Sequence, residues 1–257
     1  MKESTKKRAV RVLTIFVFVS LFLSAGYAVM RMIMAPAETA VQGEHIKTDY
    51  ILILGQCILG MGVMLVPGLL QKRFSIVLPH YMHVLFVVFL YAAIYLGEAR
   101  NFYYIFPHWD TLLHGFSGAT LGALGFSVVS MLNSAKSVRM HMSALFVAIF
   151  AVCFAVTLGV VWEIYEYLAD ASLGLNMQKH TSGDSVPYVG NAALADTMKD
   201  LIVDFAGALL MGIIGFLSMR KHPGWLDNFD IRTERAKPED EQSPEPTPER
   251  ETAGIQN

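Results

Sequence analysis

Charge is scarce in this chain. Only 16% of its 257 residues are Asp, Glu, Lys or Arg, against roughly 25% in a soluble domain. That shortage excludes an ordinary soluble enzyme, and the 54% apolar content excludes a disordered protein. Cysteine is rarer still. Cys57 and Cys153 both sit inside apolar runs, so they read as small core residues and not as a disulfide framework or a thiolate metal clip. There is no broad basic face, only small basic clusters between apolar segments, which excludes a nucleic-acid partner. What the chain has in abundance is apolar length, with a mean hydropathy of +0.43. The partner that composition implies is the lipid bilayer.

A helix needs about 20 mostly apolar residues to cross the hydrocarbon core. Six segments qualify: 12–34, 50–70, 81–97, 111–132, 143–168 and 201–219. They are continuous runs, not the short alternating segments of a membrane barrel. The fold class is therefore an all-α, polytopic membrane bundle of about six helices. The first run continues past Ser24-Ala25-Gly26 to Met34, too long for a cleaved signal core, so it reads as a retained anchor.

Basic residues set the orientation. Lys2, Lys6, Lys7, Arg8 and Arg11 make residues 1–11 a basic N-terminus; Lys72, Arg73, Lys136, Arg139, Arg220 and Lys221 mark alternate connections and the end of the sixth span. The other connections hold Lys47, Arg100 and Lys179 among acids. Both termini are expected in the cytoplasm, with residues 12–222 as the membrane domain. Residues 223–257, rich in Pro and Glu, read as a disordered acidic tail. Glycines at Gly118 and Gly122 in the fourth span, and Gly207, Gly212 and Gly215 in the sixth, have spacing suited to close helix packing.

The residues lipid should reject carry the information. Asp110 and His114 are four apart at the start of the fourth span, Glu163 and Glu166 three apart near the end of the fifth, and Asp196, Asp200 and Asp204 recur every four at the start of the sixth. Spacings of three and four share a helical face. At 1.5 Å per residue, His114 lies about 6 Å deeper than Asp110, and Asp204 about 12 Å deeper than Asp196. An acid facing lipid at depth costs about 2.5–3.5 kcal/mol. These side chains should therefore face one another in a polar pocket at the outer ends of spans four, five and six.

One histidine among carboxylates suits a divalent metal ion such as Zn²⁺, Mn²⁺ or Fe²⁺. The candidate ligands are His114, Asp110, Asp204 and Glu163. Glu163, Glu166 and Asp200 are the candidate acid/base residues, and Arg100, Trp109 and Asp196 the candidate substrate contacts. Against a site stand local explanations: Asp196 as N-cap of the sixth helix, Asp200 in its first turn, and Trp109 and Trp162 as an interfacial aromatic belt. The connection 170–195 serves as a lid over the pocket or as a plain linker.

Three stretches, Trp109-Asp110-Thr111-Leu112-Leu113-His114-Gly115-Phe116-Ser117-Gly118, Trp162-Glu163-Ile164-Tyr165-Glu166 and Asp196-Thr197-Met198-Lys199-Asp200-Leu201-Ile202-Val203-Asp204-Phe205-Ala206-Gly207, resemble the YjdF family of bacterial inner-membrane proteins. The resemblance covers spans two to six. It implies a multi-pass bundle in the cytoplasmic membrane with these polar residues as its signature, and implies no activity, cofactor or substrate.

Three functions stay open on the residues: a metal-assisted hydrolase or transferase acting on a lipid or envelope substrate, a cation- or proton-coupled carrier, and a structural protein in which the cluster locks helices together. Homo-oligomerisation is compatible with each. No Ser-His-acid arrangement and no His-Glu-x-x-His motif selects among them.

Overall fold

The computed structural model describes residues 3–35, 46–74, 76–77, 79–134, 142–180, 186–229 and 232–233. Its helices are α1 (Glu3–Met34), α2 (Lys47–Met64), α3 (Val66–Phe74), α4 (His80–Leu90), which passes into a π-helical segment (Tyr91–Ala99), α5 (Phe102–Ile105), α6 (Trp109–Ser134), α7 (Ala144–Leu173) and α8 (Asn191–Lys221). Six helical stretches are long and apolar enough to span a bilayer: Lys7–Met34, Lys47–Arg73, His80–Ala99, Trp109–Asn133, Ala144–Leu173 and Asn191–Lys221. The chain is a six-span α-helical membrane protein.

The largest departure from the hydropathy reading is at the last span. The helix begins at Asn191, behind Gly190 at φ 64°, and not near residue 201. Hydropathy marks the part of a helix that lipid would accept, while Ala192, Ala193, Leu194 and Ala195 carry good helix formers further out. Asp196 is therefore inside the helix, and its N-cap role and the first-turn role of Asp200 both fall. Part of the stretch 223–257 is also built into the fold. Pro223–Phe229 forms a 3₁₀ turn whose Trp225 and Phe229 rings pack on Phe126, and Arg232–Thr233 pairs antiparallel with Ile76–Val77. Residues 234–257, and the basic pair Lys136 and Arg139, lie outside the described residues.

Two groups of helices share the core. In the first, α1, α2 and α4 with the π segment bury Val17, Leu21, Ile53, Cys57, Val87 and Ile94. Cys57 matches a core reading; Cys153 instead lies exposed on α7, on the surface that faces lipid. In the second group α6 and α8 run parallel, with α7 antiparallel to both. Backbone contact is close because side chains are missing where it is needed. A Cβ on Gly118 would collide with the carbonyl oxygen of Asp204, and one on Gly207 with that of Gly115. Towards the other end, Phe126 fills the space opposite Gly215.

The indole of Trp109 donates to a carbonyl of the π segment, Ala92 O, at 3.2 Å. Its ring packs edge-on against Phe102, centroids 5.1 Å apart. This fastens the start of α6 to the first helical group.

Candidate metal centre

The polar residues meet where α6 and α8 begin and α7 ends. Asp204, deep in α8, is the hub. Its Oδ1 accepts a hydrogen bond from Ser117 Oγ at 2.9 Å, and its Oδ2 lies 3.3 Å from His114 Nδ1. It is enclosed by glycines: a Cβ on Gly159 of α7 would come within 2.6 Å of Asp204 Oδ2. The missing side chain at Gly159 leaves room for this carboxylate, while the one missing at Gly118 of α6 leaves room for the Asp204 backbone.

With Nδ1 engaged by Asp204, the other ring nitrogen of His114 points at two more carboxylates. Nε2 lies 3.9 Å from Asp110 Oδ1 and 3.9 Å from Asp200 Oδ2. One ligand atom from each of Asp110, His114 and Asp200 falls within a 4.8 Å group. The edge of a tetrahedral site with bonds of about 2.1 Å is ~3.4 Å, so each of the two His114–carboxylate edges, at 3.9 Å, would shorten by roughly half an ångström on an ion, and the Asp110–Asp200 edge, within 4.8 Å, by roughly 1.4 Å at most. The donor set of one imidazole and two carboxylates fits Zn²⁺, Mn²⁺ or Fe²⁺.

Asp200 is 2% exposed and Glu163 4% exposed. Asp200 Oδ1 and both oxygens of Glu163 lack a hydrogen bond of ordinary geometry. The Thr197 hydroxyl lies beside Glu163 and accepts from Gln178 Nε2 at 2.8 Å. A buried carboxylate with no partner costs several kcal/mol if ionised.

Lys179 closes the outer side. Its Nζ lies 2.7 Å from Asp110 Oδ2, 3.5 Å from Asp196 Oδ2 and 4.9 Å from the ring centre of Tyr103. Burial works against its charge, but the Asp110 and Asp196 carboxylates outweigh it and hold the ammonium pKa well above the ordinary lysine range. Burial, reinforced by the Glu98 and Asp110 carboxylates, raises the Tyr103 phenol well above its usual value, so its proton stays in place. Lys199 adds a more distant cation, 3.8 Å from Asp196 Oδ1 and 3.9 Å from Asp200 Oδ1.

The structure therefore gathers Asp110, His114, Glu163, Asp196, Asp200 and Asp204 at one end of the bundle. Glu166 sits at the rim, half-buried, accepting from Trp162 Nε1 at 2.9 Å. Two expected residues stay out. Arg100 is exposed at the end of the π segment, and among the described residues it makes no ion pair with the cluster. Trp109 is committed to Ala92 and the Phe102 ring. Sequence reasoning missed Lys179 and Ser117, and reads Tyr103 only as one of the boundary aromatics. Lys179 carried a faint signal, as a lone basic residue in an acid-bearing connection; a serine inside the fourth-span motif carried none beyond its position.

Comparison with known proteins gives a family and nothing finer. The family described as "Predicted membrane protein (DUF2238)" matches residues 28–221, about three quarters of the chain, and the chain belongs to it; this is the YjdF family that its three polar stretches resemble. No curated protein and no solved structure shows a significant match.

Proposed function

We propose that this family member is a membrane-embedded metal-dependent hydrolase or transferase. Asp110, His114 and Asp200 would hold one divalent cation, and Glu163 would act as acid/base on a lipid-linked or envelope substrate. One observation carries the reading: three ligand atoms from two helices converge within 4.8 Å while Asp204 fixes the imidazole behind them. A carboxylate on the far nitrogen of a metal-binding histidine sets its tautomer and orientation. Such an outer partner is the part of a metal site that helix-end polarity alone would not produce.

Spacing along α8 does not separate Asp200 from Asp204, but their distances to His114 support different roles: Asp204, facing Nδ1, would hold His114, and Asp200, facing Nε2, would join Asp110 as a ligand. Five carboxylates (Asp110, Glu163, Asp196, Asp200, Asp204) face two ammonium groups, Lys179 and Lys199. That excess favours a cation in the centre. When bound, the ion would supply Lewis-acid polarisation and a more acidic bound water. Glu163, buried and without a committed hydrogen bond, would hold or pass a proton at its carboxyl oxygens. Asp196 and Glu166 line the rim.

The location follows from charge. Arg8, Arg11, Lys72, Arg73, Arg220 and Lys221 all belong to the end of the bundle opposite the cluster. By the positive-inside rule that end is cytoplasmic, with both termini, and the cluster opens to the outer side of a bacterial inner membrane. A carrier would need polar groups through the full thickness. The deeper buried hydroxyl of Ser127 contacts the sulfur of Met82 and its own helix carbonyl at Ala123.

Elemental analysis of detergent-purified protein tests the reading. It expects about one divalent ion per chain, removable by chelator and lost in His114→Ala and Asp200→Asn. Wild-type protein that is metal-free and takes up neither Zn²⁺ nor Mn²⁺ would overturn it.

A further inference from the structure

The segment that brings Lys179 to the cluster is built, not merely draped. Gly174, at φ 66°, ends α7 in the left-handed conformation that glycine adopts without cost. The carboxylate of Asp170 then accepts from the backbone N–H groups of Met177 (2.8 Å) and Gln178 (3.0 Å), which turns the chain back over the bundle. Leu175 and Met177 bury themselves with Ala169 against Leu52 of α2, and the Met177 sulfur lies 3.7 Å from the Gln56 amide. Gln178 is tied to Thr197 on α8. Lys179 itself sits at φ 46°, a conformation non-glycine residues adopt only when their surroundings over-determine it.

Apolar anchors thus hold one side of the segment while its single cation is aimed at Asp110. Asp110 is shared: Oδ2 meets Lys179, and Oδ1 faces His114. An ammonium group on this carboxylate and on Asp196 neutralises part of the charge that a divalent ion would otherwise use.

We propose that Lys179 is a tethered counter-cation that competes with the divalent ion. Its ammonium holds the cluster in an ion-free form, and ion entry releases Lys179 and loosens residues 175–180. This inference rests on the metal-site reading above and adds its regulation.

Mn²⁺ titration of detergent-purified protein, with free Mn²⁺ followed by electron paramagnetic resonance, tests it. Lys179→Met keeps chain length and removes the charge. It should bind Mn²⁺ roughly tenfold or more tightly than wild type, because removing an internal competitor raises the fraction of binding-competent protein. Equal or weaker binding by this variant, with wild type binding normally, overturns the inference and leaves the metal-site reading standing. Absence of binding in both proteins overturns the two together. Should Lys179→Met fail to fold, hydrogen exchange of the wild type decides. Mn²⁺ should speed exchange at the Met177 and Gln178 amides, and unchanged or slower exchange overturns the release of the segment.

Discussion

The two halves of the bundle have similar length and apolarity yet bury different things. All six spans are long and apolar enough to cross a bilayer. The first group fills its interior with Val17, Leu21, Cys57, Val87 and Ile94. The second places His114, Glu163, Asp200 and Asp204 inside, with Gly159 against the Asp204 carboxylate and Gly118 and Gly207 at the close backbone contact of α6 with α8. Average hydropathy therefore reports that a helix enters lipid and says little about what it is for. Buried ionisable groups are a poor way to gain stability, since well-packed apolar replacements are often as stable or more so. Their concentration in one half places the His/carboxylate cluster there and leaves the other half with a mainly apolar core.

The contrast can be broken first at the glycines. Gly118→Ala drives a methyl group into the Asp204 backbone and should cost about 3 kcal/mol, near the upper end for overpacking, read as a lower thermal midpoint in detergent. The matching change in the first half, Gly60→Ala, meets chiefly the terminal methyl of Ile94, which can rotate away. It should cost visibly less. Equal losses at both positions would remove the distinction between a rigid site and a compliant core.

Asp204→Asn comes next. It keeps the volume and still accepts from Ser117, but weakens the hold on His114 Nδ1. Metal affinity should fall about 10–100-fold, as for other outer-partner losses, with the thermal midpoint of the metal-free protein little changed. A structural lock would instead show a large drop in that midpoint.

Glu163→Met sharpens the comparison in the opposite direction. Because this buried carboxyl makes no hydrogen bond of ordinary geometry, an apolar residue of similar length should leave stability unchanged or raise it by up to about 2 kcal/mol. Activity, once a substrate is in hand, should be lost. Marked destabilisation would return Glu163 to a packing role. The smallest effect belongs to Gln56→Leu in the first half. Among the described residues its amide donates only to the Met177 sulfur, so the change should stay within about 1 kcal/mol and leave metal binding intact.

Six crossings were legible in the sequence because lipid imposes one strong, local rule: long apolar runs. Polar residues at spacings of three and four were legible as a cluster for the same reason, since lipid tolerates them only if they face one another. Assigning Asp200 and Asp204 to the two nitrogens of His114 was not legible. That depends on how α6 is rotated against α8, which Gly118 and Gly207 decide through backbone contact. Nor was Lys179. Its placement depends on Asp170 folding residues 174–180 back over the bundle, a non-local arrangement with no periodic signature. Arg100 failed as a cluster residue because the π segment ends with it exposed.

The central claim is an ion held by the imidazole of His114 with Asp110 and Asp200. Electron spin-echo measurements on the Mn²⁺-loaded protein test it most directly, because they report nitrogen bound to the metal. The account predicts one imidazole nitrogen coupling that vanishes in His114→Gln. Mn²⁺ bound with no nitrogen coupling, or with a coupling that survives that substitution, would contradict it.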